Sequence, residues 1–103
     1  MKNRKIQVLE TGKVSCNIVE ENITISNGNE VIINNKYSQI SPGTELACIA
    51  GLEDWFKAPA VLGYTSIGEV METGKNVHHV KKGDWVYSFG PHAEFFKIDI
   101  NDR

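Results

Sequence analysis

Residues 61–77 read VLGYTSIGEVMETGKNV, with glycines at Gly63, Gly68 and Gly74. Between the glycines, Ser66–Thr73 (SIGEVMET) is a strand candidate, and the TGKN that overlaps its end carries turn chemistry. The same rhythm extends outward. Upstream, Lys5–Leu9 (KIQVL) alternates and stops before Thr11-Gly12-Lys13. Val14–Glu20 (VSCNIVE) sets Val14, Cys16 and Ile18 on one face with period two. Ile23–Ile25 runs into Ser26-Asn27-Gly28-Asn29, and Glu30–Tyr37 follows. Asn-Gly tolerates the positive φ of tight hairpin turns, so a hairpin is predicted there. Downstream, Asp84–Phe89 and Ala93–Ile98 supply two more strands, the first after the turn KKGD. One stretch predicts a helix: Ser41–Gly51, SPGTELACIAG. Ser41 or Thr44 serves as its cap, Pro42 suits the first turn and Gly51 the stop. Many short strands with turn glycines and one short helix predict a mainly β, mostly antiparallel fold, a small β-barrel or sandwich.

At 103 residues the chain is expected to form one domain, 1–103. Such a length builds one modest core and leaves no room for a dinucleotide-binding domain as well. An apolar fraction of 41 % and a charged fraction of 23 % argue against disorder. A net charge of -2, without a basic stripe, gives no reason to expect nucleic acid. Cys16 and Cys48 form no CxxC pair; two free thiols are the plain expectation, one disulfide the alternative. The N-terminal MKNRKIQVLE lacks an apolar core of signal-peptide length, and no run approaches a membrane span. A soluble cytoplasmic protein is expected.

Three stretches in order carry a resemblance: YSQISPGTELACIAG, LGYTSIGEVMETGKNVHHVKKGDWVYSFG and GPHAEFFKID. Together they resemble the N-terminal, GroES-like catalytic domain of the medium-chain dehydrogenases/reductases, from Lys5 to about Asp99. Gly63, Gly68, Gly74, Val77, Gly83-Asp84 and Val86 match that family's GHExxGxVxxxGxxVxxxxxGDxV frame. The SPGTE and GPHAE variants are most similar to a subgroup with bacteriochlorophyllide-type hydroxyethyl dehydrogenases. The resemblance implies a barrel paired with a Rossmann domain that binds NAD(P). It also implies hydride transfer between that cofactor and an alcohol, carbonyl or activated alkene. No G-x-G-x-x-G occurs in the chain, so the cofactor domain is expected to be a partner outside it, and the isolated chain to be inactive. Because the family barrel is completed by later strands, an unpaired sheet edge is expected to drive homo-oligomers.

Departures from the frame bear on chemistry. Pro42 stands where zinc-dependent members have their first catalytic cysteine, Tyr64 at the histidine of GHE and Thr65 at its glutamate. Catalytic zinc needs about three N, S or O side-chain ligands, and proline offers no lone pair, so no zinc is expected. Glu45, Cys48, Asp54, His78, His79 and His92 are the other conceivable ligands. Adjacent His78 and His79 are read as solvated loop residues, and a metal site is not expected.

The catalytic candidates are Thr44, Tyr64 and Glu45; the pocket candidates are Trp55, Phe56 and His92. Thr44 matches the family's proton-relaying Ser/Thr, and capping the helix is its plainer role. Tyr64 offers a phenol to a substrate oxygen, or fills the volume of the former metal site. Glu45 orients a catalytic group, or sits where a helix N-terminus favours negative charge. His92 belongs to the site or is a hydrogen-bonded structural histidine. Trp55 and Phe56 suit an apolar pocket wall or a cover for the core. The alternative to an oxidoreductase domain is a stand-alone GroES-like binding or assembly module without enzymatic activity.

Overall fold

The computed structural model describes residues 1–100. Its elements run β1 (Lys2–Glu10), β2 (Lys13–Glu20), β3 (Glu30–Ser38), α1 (Pro42–Ile49), β4 (Ala60–Val61), β5 (Ser66–Thr73), β6 (Trp85–Ser88) and β7 (Phe95–Asp99). The fold is mainly β with one short helix, in agreement with the alternation and turn glycines. All the strand pairs are antiparallel and fall into two sheets, ordered β2-β1-β4 and β6-β5-β3-β7. An isolated bridge pairs Lys5 of β1 with Ala93, just before β7; the ladders do not close into one barrel among the described residues.

β3 is flanked by β5 and β7, and Val31, Ile32 and Ile33 are all buried. Its inner face packs Val31 and Ile33 with Val70, Val77 and Phe96. A second cluster, Val8, Cys48, Phe56 and Leu62, lies under α1 and the chain leading to β4.

The predicted hairpin around Asn27-Gly28 does not form, because Ile23–Ile25 is not a strand. Glu30 instead organises the turn itself. Its Oε1 accepts from the Ser26 N–H at 2.6 Å, the Ser26 hydroxyl at 2.7 Å and the Asn27 N–H at 3.0 Å. A carboxylate thus satisfies the donors of the turn residues that precede β3. The first hairpin lies earlier, between β1 and β2, with Gly12 at φ +84 in its turn. That turn docks on the helix, where the Gly12 N–H donates to the Ile49 carbonyl at 2.6 Å.

α1 occupies the interior of the stretch predicted as helical. Ser41 is its N-cap residue and Pro42 opens the first turn, but neither Ser41 nor Thr44 caps with its hydroxyl. Glu45, in the first turn, reaches back instead: its Oε2 accepts the Ser41 N–H at 2.5 Å, a contact related to the capping box. The helix ends in a Schellman arrangement. Leu52 N–H donates to Ala47 O and Gly51 N–H to Cys48 O, with Gly51 at φ +79.

Candidate functional site

The segment Pro91–Glu94 crosses between the two sheets and is held by backbone hydrogen bonds on both sides. Ile6 N–H donates to His92 O, His92 N–H to Leu62 O and Leu62 N–H to Ile6 O, each at 2.8 Å. Glu94 N–H donates to Arg4 O at 2.9 Å, and Asn35 N–H to Glu94 O at 2.7 Å. His92 is thereby fixed against β1 and Leu62, beside Glu45 of α1. Its Nε2 lies 2.6 Å from Glu45 Oε1, and both side chains are buried.

Gly63 makes room for this pair. A Cβ there would lie 2.6 Å from His92 Cδ2, and the residue sits at φ +101, in the left-handed region that favours glycine. The first glycine of the frame therefore admits an imidazole ring from another part of the chain.

Above the pair lies an open groove of about 610 Å³. Its walls are mostly apolar, from Ile6, Cys16, Ile40, Leu46, Ile49 and Leu62, with Pro42, Glu45 and His92 also lining it. Leu46 and Ile40 are 65 % and 69 % exposed, so the walls face solvent rather than other side chains. Cys16 and Cys48 are unbridged. Burial pushes the Cys48 thiol up from its ordinary range, with the Glu53 and Glu45 charges adding to the effect.

The groove brings together two of the six candidates, Glu45 and His92. Thr44 is half-buried in α1 and Tyr64 half-buried before β5; neither is among the groove's lining residues or makes a side-chain hydrogen bond to a described residue. Trp55 is exposed, donates from Nε1 to Glu53 Oε2 at 2.8 Å and meets the Phe56 ring edge-on at 6.0 Å. Phe56 itself is in the second core cluster. His78, His79 and Asp54 are exposed and apart from the pair. Among the described residues no three His, Cys, Asp or Glu side chains converge as metal ligands. The donors at the frame positions do not fit zinc, since Pro42 has none to offer.

Asn3 is a structural contributor that alternation alone misses. Its side chain is fully buried and imitates a strand neighbour: Nδ2 donates to Phe95 O at 2.8 Å while Oδ1 accepts Phe95 N–H at 3.0 Å. This clasp ties β1 to β7 just beyond Glu94, and so steadies the segment that carries His92.

The chain belongs to the alcohol dehydrogenase GroES-like domain family, whose model matches residues 27–97. Among solved structures, it is similar to Escherichia coli quinone oxidoreductase complexed with NADPH, at 22 % identity and TM-score 0.72, covering 96 % of this chain and 31 % of that one. It is also similar to the mitochondrial 2-enoyl thioester reductase heterodimer of Candida tropicalis, at 21 % identity and TM-score 0.75, over 99 % and 33 % of the two chains. An alcohol dehydrogenase superfamily protein from Novosphingobium aromaticivorans aligns at 20 % identity and TM-score 0.79, over 94 % and 32 %. The chain thus spans about a third of each structure. No curated protein matches.

Proposed function

We propose that this chain is the substrate-side domain of a zinc-independent, NAD(P)-dependent oxidoreductase of the subgroup with SPGTE and GPHAE motifs. The observation that carries the reading is the groove in which Pro42, Glu45 and His92 meet, on a fold of the alcohol dehydrogenase GroES-like family. The groove offers a mostly apolar surface to a small molecule, with Asn35, Tyr37, Ser38, Glu45 and His92 among its polar lining residues, a composition that suits a small-molecule site.

The residues present do not fit the phosphates of a dinucleotide, since the chain has no G-x-G-x-x-G turn. The cofactor belongs to a Rossmann domain outside residues 1–103, and the isolated chain is inactive for that reason. When bound there, the nicotinamide supplies the hydride. This chain's residues bind the substrate, exclude water from its apolar body and handle the proton at its oxygen. Thr44 and Tyr64, which are not among the groove's lining residues, are the hydroxyls assigned to that oxygen.

The test compares two polypeptides, the isolated chain and the same chain joined to its cofactor domain. The longer one is expected to oxidise or reduce nicotinamide in the presence of an alcohol or carbonyl compound, and the isolated chain is not. Tyr64→Phe and Thr44→Val are each expected to lower kcat by about tenfold to a hundredfold, the loss of one proton-handling group. Unchanged kcat in both variants would remove the hydroxyl assignments.

A further inference from the structure

We infer that Asn27 is a self-modifying site: in the folded chain the Gly28 backbone nitrogen attacks the Asn27 side-chain amide and converts it to aspartate or isoaspartate. The site lies in the turn before β3 and is independent of the reading of the chain as a substrate-side domain.

Asn27 is the one asparagine of the chain followed by glycine, and it is exposed. Its Oδ1 accepts the Asn29 N–H at 2.9 Å, which polarises the Cγ carbonyl toward attack. Nδ2, the leaving nitrogen, makes no hydrogen bond to a described residue, and neither does the Gly28 N–H. The attacking nitrogen is therefore not held as a donor elsewhere, and Gly28 has no Cβ to obstruct its approach. In the first step the bond from Gly28 N to Asn27 Cγ forms and the Cγ–Nδ2 bond breaks. The Gly28 N–H proton leaves with Nδ2 as ammonia. Water then opens the cyclic imide: cleavage at Cγ gives aspartate, and cleavage at the backbone carbonyl gives isoaspartate. Nothing is oxidised or reduced, and water is the only co-reactant.

The turn has no slack for the longer backbone of isoaspartate. Gly28 O accepts the Asn76 N–H at 2.8 Å, and Asn76 Nδ2 donates to Asn29 Oδ1 at 3.3 Å. The Gly74 N–H donates to Glu30 O at 2.7 Å. A Cβ on Gly74 would overlap the Gly28 carbonyl, so the two turns are in direct backbone contact. On the other side, Glu30 Oε1 accepts the Ser26 and Asn27 N–H groups at 2.6 and 3.0 Å. A methylene added at position 27 breaks either the Glu30 contact or the contact between Gly28 and Asn76. Aspartate leaves the backbone length unchanged and adds only a negative charge. Formation of isoaspartate therefore loosens the corner where β3 begins and β5 ends, at the Val31–Thr73 pair.

The test is peptide mapping of the 103-residue chain aged at neutral pH, folded and in urea, with amide-to-acid conversion read by mass and isoaspartate by enzymatic methylation. In the folded chain, conversion at Asn27 is expected to be at least as fast as in urea and faster than at any other asparagine. Both products are expected. Asn27→Gln, whose longer side chain closes a larger ring, is expected to abolish the reaction. In the isoaspartate form, the Asn76 amide is expected to exchange about five- to tenfold faster, the worth of one net hydrogen bond. The Val70 amide, which donates to Asp84 O, is expected to be unchanged. Asn27→Asp keeps the backbone length, so its Asn76 amide is expected to keep its protection. Three results would each overturn the inference: slower conversion at Asn27 folded than in urea, faster conversion at another asparagine, or an Asn76 amide that exchanges alike before and after isoaspartate forms. The rate comparison uses the wild-type chain alone and stands should a variant fail to fold.

Discussion

Glu45 Oε1 and His92 Nε2 lie 2.6 Å apart although 47 residues separate them in the chain. The pair also closes the N-terminus of α1, since the same carboxylate accepts the Ser41 N–H. One side chain therefore couples helix entry to the crossing segment. Glu45→Ala is expected to cost about 1–3 kcal/mol for each buried partner left unsatisfied. Glu45→Gln keeps both contacts and is expected to cost much less. Urea unfolding of the two variants checks the difference; equal losses would mean that the contacts are not what holds the segment.

Asn3 is expected to be a second stability determinant. Asn3→Ala strands the Phe95 N–H and carbonyl, and is expected to lower stability by about 1–3 kcal/mol. Hydrogen exchange at the Phe95 amide gives a local readout: protection there should fall more than at Val70 in the core of the same sheet. An unchanged Phe95 amide would contradict the clasp.

Glu30 sets an acid limit. Hydrogen bonds from the Ser26 hydroxyl and N–H, then from Asn27 and Lys97, hold its carboxyl at about 2. Its unfolded value is about 4.3. A lowered folded pKa means stability that is fully present above the unfolded value and is lost as pH falls through the folded one. Lys5 lowers Glu21 and Arg4 lowers Glu94, so both act in the same direction. Unfolding midpoints are expected to decline between about pH 5 and pH 2, with a shallower slope in Glu30→Gln. An identical slope in that variant would assign the decline to other carboxylates.

The β2 edge is expected to mediate association. It presents Val14 and Ile18, 50 % and 66 % exposed, on a strand with no outer neighbour among the described residues. Sedimentation should show concentration-dependent association that Ile18→Lys abolishes; a strictly monomeric wild type would contradict it.

Much of this architecture was legible in the residues. The run Glu30–Tyr37 and the strand Ser66–Thr73 follow from β-branched density and from glycines that mark their ends. The helix followed from Pro42 and Gly51. Ile23–Ile25 misled because a three-residue apolar alternation is too short to specify a strand without a partner, and no described strand pairs with it. The role of Asn3 was hidden for a related reason: a side chain posing as a strand has no periodicity. Within the site, Glu45 and His92 were each readable as candidates. Their pairing was not, because it depends on Pro91–Glu94 crossing between sheets and on the space left at Gly63. Thr44 and Tyr64, chosen from their matches to the frame, are not among the groove's lining residues.

The most direct test of the central claim is nicotinamide turnover by the polypeptide that joins this domain to its cofactor domain, measured before and after exhaustive chelation. Alcohol- or carbonyl-dependent turnover is expected, and chelation is expected to leave it unchanged. Turnover that disappears with the chelator and returns with added zinc would contradict it.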